Sequence, residues 1–82
     1  MRLLVMNPER TLLDVEVSVV ELPGTLGRFT VLRGHDRMLS TLTAGEVRYC
    51  LMASTVDAPR ETLSISGGFA EVAEDVITVC AD

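Results

Sequence analysis

The chain has 82 residues, 48% of them hydrophobic, with twelve acidic and seven basic side chains and a formal net charge of −5. That length makes one domain at most, and ordering it costs roughly 1.5 kcal/mol per residue, so a packed core is required and its margin is thin. The basic residues are all arginine, and the acidic balance argues against nucleic acid or an anionic membrane surface as partner, because phosphate recognition needs a basic footprint.

Short β-type runs recur between turn signals, and no segment sustains a helical period. Leu3 to Met6 is the first predicted strand, ended by Asn7-Pro8. Leu12 and Leu13 open a second region, in which Val15, Val17 and Val19 alternate with Glu16 and Ser18 as in a strand with one wet face. At Val19-Val20 the alternation slips and Leu22 continues on the other parity, which predicts a β-bulge or a switch between sheets. Pro23-Gly24 is expected to end this strand, Thr25 to Arg28 to turn, and Arg28 to Leu32 to return with Phe29 and Val31 on one face. Gly34-His35-Asp36 makes the next turn, and the short run from Met38 to Leu42 has no decisive period. After Thr43-Ala44-Gly45, Val47, Tyr49 and Leu51 alternate with Glu46, Arg48 and Cys50. Residues 54–60 are expected to form an exposed hairpin loop. Leu63 and Ile65 then alternate with Thr62, Ser64 and Ser66, Gly67-Gly68 permits a bend or bulge, and Phe69 to Ala73 pairs with Val76 to Cys80 across Glu74-Asp75.

These eight to ten short strands predict an all-β fold, a two-sheet β-sandwich or flattened barrel, because an open sheet of this size would leave an apolar face in water. Cys50 and Cys80 sit in apolar runs and are expected to be buried thiols. Two cysteines and one histidine are too few soft ligands for a metal site, and no cofactor motif is present. Gly24-x-x-Gly27 and Gly67-Gly68 lack the lysine and helix start of a phosphate-binding loop, and Ser64 and Ser66 have no base beside them. His35 has no nucleophile or positioned acid nearby, which argues against catalysis. No run is long and apolar enough for a signal peptide or a bilayer span, so the cytoplasm is the default location.

From end to end the order of elements resembles the amino-terminal domain of the epsilon subunit of F-type ATP synthase. The resemblance rests on the opening strand with Pro8-Glu9, the strand to Leu22, Pro23-Gly24-Thr25 with Gly27, Val31-Leu32 with Gly34-His35, Leu39 and Leu42, Gly45-Glu46-Val47-Arg48, Ser66-Gly67-Gly68-Phe69, and the close from Val76 to Asp82. It implies a ten-stranded β-sandwich at the foot of the central stalk. It also implies a non-catalytic rotor part that docks on the gamma subunit and the c-ring and couples proton-driven ring rotation to ATP synthesis, peripheral to the cytoplasmic face of a bacterial inner membrane. Family members usually continue into a helical hairpin, which would begin where this sequence closes at Asp82, so a short form of residues 1–82 is expected.

By the same resemblance His35, Ser40, Glu46 and Asn7 face gamma, and Leu26 and Arg28 of the Thr25–Arg28 turn face the c-ring. Read from the residues alone, His35 is also an ordinary turn residue, and Ser40 and Glu46 ordinary exposed strand ends. The sequence departs from the family by Leu26 and Arg28 where acids are usual, Arg33 where proline is common, and Asp36-Arg37 where Ala-Pro is common. The alternative reading is a free-standing β-barrel that binds a ligand or protein.

Overall fold

A computed structural model of the chain describes residues 1–53 and 60–82. Eight strands occur among the described residues: β1 (Arg2–Met6), β2 (Thr11–Gly24), β3 (Gly27–Leu32), β4 (Met38–Leu42), β5 (Gly45–Leu51), β6 (Glu61–Ile65), β7 (Gly68–Ala73) and β8 (Val76–Ala81). Most of the expected hairpin loop lies outside the described residues.

The fold is organised by β2. Its first half pairs antiparallel with β1, from Thr11 opposite Met6 to Glu16 opposite Arg2. Its second half carries β3 on one edge and β5 on the other, with Val20 opposite both Val31 and Tyr49. The strand therefore leaves one sheet and enters the next. The register against β5 skips between Val17 and Val19, so Ser18 is the extra residue of a bulge. The bulge reverses the inward parity: Val17 lies in the core before it and Val20 and Leu22 after it, while Val19 is buried outside that cluster. Both explanations offered for the slipped alternation therefore hold, with the bulge one residue earlier than the slip.

The two sheets are β1-β8-β7-β4, extended by the start of β2, and β3-β2-β5-β6. β8 lies parallel to β1, with Leu3 opposite Ile77. β4 returns to β2 through Gly24 opposite Leu42, which closes the circuit into a flattened barrel. Leu3, Val5, Val20, Leu22, Val31, Val47, Ile77 and Val79 fill the space between the sheets with no exposed surface. The core contains aliphatic side chains, alanines, Met1 and Tyr49, and no polar or charged residue is buried among the described residues.

Three boundaries differ from expectation. β2 begins at Thr11 because β1 offers a full antiparallel partner there. Pro23-Gly24 does not end the strand: pairing runs to Gly24 opposite Gly27, and the turn is only Thr25-Leu26. The Pro23 carbonyl accepts from the Thr43 amide at 2.8 Å, a further bond that joins this strand to the segment after β4. Gly68 opens β7 rather than bending the chain away, and a Cβ there would overlap the Cys80 carbonyl oxygen of β8.

Candidate docking surface

The β2–β3 hairpin projects Leu26 entirely into solvent. Its position is fixed from β4: the Thr25 amide donates to the Thr41 carbonyl at 3.1 Å, and the two threonine hydroxyls bond each other at 2.8 Å. Beside this hairpin the sandwich is open between β3 and β4. The opening is an apolar groove of about 600 Å³ between Leu26 and Phe29 on one side and Leu39, Ser40 and Phe69 on the other. Leu39 and Phe69 are large apolar side chains on the outer parity of β4 and β7, 70% and 47% exposed.

Phe69 also joins a second, smaller depression formed with Met6, Pro8 and Cys80. The register explains why these residues meet. Thr41 faces Phe69, Phe69 faces Cys80, and Cys80 faces Met6, so one row crosses four strands at the same end of the molecule. The groove holds no charged residue among those described, and its threonine hydroxyls satisfy each other. It therefore lacks the converging polar groups that fix a small molecule in a pocket.

Five of the six residues singled out in the sequence gather at this end. Leu26 and Ser40 line the groove together. Arg28 and Glu46, which the resemblance assigns to different partners, touch each other: the Arg28 guanidinium donates to the Glu46 carbonyl from Nη1 at 2.8 Å and also from Nη2. This contact reaches from β3 across β2 to β5. The Glu46 carboxylate lies 3.4 Å from Arg48. Asn7 belongs to the second depression, and its Oδ1 accepts from the Glu9 and Arg10 amides at 2.9 and 2.8 Å, closing the β1–β2 turn. His35 stands apart. It lies in the β3–β4 loop, before the Met38 end of β4, and is not among the residues that line the groove. Its amide donates to the Leu32 carbonyl at 3.1 Å, and its Nδ1 lies 2.7 Å from the Asp36 carbonyl oxygen.

The sequence reading missed Leu39 and Phe69 as surface groups. A signal existed for Phe69: it shares strand parity with the charged Glu71, whereas Ala70 and Val72 carry the core.

The perturbed titratable groups are structural. The Arg2 guanidinium bonds both oxygens of Asp14 at 2.8 Å and holds that carboxyl below its ordinary range. Burial, helped by Glu61, raises the Tyr49 phenol. Among the described residues no cluster of three metal-ligating side chains occurs. Cys50 is buried and Cys80 half-buried, and neither is in a disulfide.

Among the described residues the chain is an all-β sandwich with an apolar groove beside the β2–β3 hairpin, and that architecture defines the class: a small β-sandwich domain. The sequence profile of the family described as ATP synthase, Delta/Epsilon chain, beta-sandwich domain matches residues 1–82, and the chain belongs to that family. It is 36% identical over 78 residues to the ATP synthase epsilon chain of Desulfitobacterium hafniense, covering 95% of this chain and 55% of that one. It is 42% identical to the epsilon chain of Magnetococcus marinus, covering 95% and 53%. The chain thus spans about half the length of the curated relatives it matches. A chain of the Euglena gracilis mitochondrial ATP synthase, solved as an OSCP/F1/c-ring assembly, superposes with a TM-score of 0.82 at 23% identity, covering 96% of this chain and 48% of that one. At that identity the likeness shows the fold alone.

Proposed function

We propose that this domain is a non-catalytic rotor part of an F-type ATP synthase, held at the foot of the central stalk between the gamma subunit and the c-ring. It transmits proton-driven ring rotation toward ATP synthesis and is peripheral to the cytoplasmic face of a bacterial membrane through protein contacts. Family membership over residues 1–82 supports the assignment, and the observation that carries it on this chain is the groove with Leu26 at its lip and Leu39 and Phe69 on its floor. The ring meets the β2–β3 hairpin through Leu26 and Arg28. Gamma lies along the flank from His35 down β4 to Ser40, with Glu46 and Asn7 at the margin. Two packed sheets with a dry core suit a torque-bearing part, because close-packed interiors transmit strain rather than yield.

Native mass spectrometry of the complex containing this chain, read for stoichiometry and neighbours, tests the proposal: gamma and the ring subunit should co-purify, and failure of gamma to do so defeats it. The double substitution Leu26→Asp with Phe69→Ser should weaken association at least tenfold, since hot-spot truncations typically cost about 1–2 kcal/mol or more. Arg28→Glu should weaken ring binding at low salt. Binding unchanged across salt concentrations would rule out an ionic contact there.

A further inference from the structure

The β7–β8 hairpin turn is built from Glu74, poorly suited to it, and Asp75, which tolerates it but stands where glycine is usual. Glu74 and Asp75 have φ of 52° and 60°, the left-handed region that a two-residue hairpin turn requires and that Asn-Gly or Asp-Gly fills most readily. Side chains with no helix or sheet to serve explain the choice only if they are used for something else, and here both reach the same target. Asp75 Oδ1 accepts from the Gly34 amide at 2.9 Å, across 41 positions of sequence. Glu74 Oε1 lies 3.8 Å from Arg37. One turn thus holds the β3–β4 loop at both shoulders, before and after His35. Gly34 itself sits at φ 80°, a conformation that turns its amide toward the carboxylate without steric cost. The turn is anchored in its own right, because the Asp75 carbonyl accepts from the Arg2 amide of β1 at 3.0 Å.

We infer that Asp75 is a positioning residue for partner recognition: it holds the Gly34–Arg37 loop in the conformation that presents His35 to gamma. The inference rests on the proposed function above and adds a residue to it. A loop free in solution must be ordered at the moment of binding, which weakens association. A loop already tied to a sheet-anchored turn has that ordering behind it. Asp75 acts through Gly34 and touches no partner itself. The Glu74–Arg37 pair is exposed on both sides and guides rather than fixes.

Two substitutions separate positioning from stability. Asp75→Gly relieves the left-handed φ but removes the acceptor. Asp75→Asn keeps both an acceptor oxygen and a residue suited to that φ. The assay is affinity of the purified chain for its cognate gamma subunit, read beside the melting temperature and the exchange rate of the Gly34 amide. The expected result is that Asp75→Gly keeps or raises the melting temperature, accelerates Gly34 exchange and loses about tenfold in affinity, whereas Asp75→Asn matches the parent in all three. His35→Ala should also weaken binding. Unchanged affinity for Asp75→Gly, or equal weakness of the Gly and Asn variants, overturns the positioning role while leaving the rotor assignment standing. Unchanged affinity for His35→Ala removes the loop from the interface and overturns it too. Failure of the parent chain to bind gamma overturns the assignment and the inference with it.

Discussion

At the scale of single residues, the charged groups of this chain stabilise local geometry. Asp14 accepts two bonds from Arg2, which joins the outer faces of β1 and β2. Its folded-state pKa is lowered chiefly by that hydrogen bond. A carboxyl with a depressed folded pKa contributes stability above its unfolded value, and the contribution is lost as pH falls through the folded value. Asp14→Asn should therefore flatten the acid limb below about pH 4, read as the urea midpoint against pH. An unchanged limb would show the pair to be energetically silent, as many exposed pairs are. Tyr49 has the opposite sign: its raised pKa contributes stability below about pH 10, lost as pH rises further. Roles at this scale were poorly legible in the sequence. Nothing adjacent to Asp75 announces Gly34, and nothing adjacent to Arg28 announces the Glu46 carbonyl, because both contacts span distant segments.

At the scale of elements, the strands are set by alternation and the turns by backbone demands. Replacing Glu74 by Asn should stabilise the β7–β8 hairpin by up to about 1 kcal/mol, since a non-glycine residue in the left-handed region costs about that and Asn tolerates it best. The exposed pair with Arg37 offsets little of this gain, and a lowered melting temperature would contradict the account. Gly68 is the opposite case. Gly68→Ala forces a side chain into the Cys80 carbonyl oxygen and should cost about 3 kcal/mol or more, seen as a lowered denaturant midpoint. The sequence offered these positions for different reasons. Gly67-Gly68 was readable as a special backbone site, but whether it bends a chain or lets two strands close depends on Cys80 of β8, twelve residues further on. The short run from Met38 to Leu42 was ambiguous because Leu39 faces out and Leu42 faces in. Only pairing with β7 assigns it to a strand.

At the scale of the whole molecule, an 82-residue domain holds a stability of roughly 4–12 kcal/mol. Leu22 is completely buried between the sheets, and Leu22→Ala should remove roughly 2–5 kcal/mol of that margin. Urea unfolding will measure the loss, and a shift under 1 kcal/mol (about half the smallest expected) would mean the core collapses around the gap. Under the proposed function, binding to gamma should restore part of the lost melting temperature, because a ligand of the native state stabilises it by mass action.

The alternating valines, the slipped parity at Val19-Val20 and the glycine-bracketed turns were enough to determine an all-β sandwich or flattened barrel with a bulge or a sheet switch in its second strand, since inward and outward facing is a local property of an extended chain. The groove was decided by the tertiary structure alone. Leu39 and Phe69 lie on the paired strands β4 and β7, distant in sequence, and Leu26 of the β2–β3 turn joins them because β4 also returns to β2 at Gly24 opposite Leu42. Alternation tells each strand which side faces the core; it carries no information about which outer faces will share an edge once the sheets close.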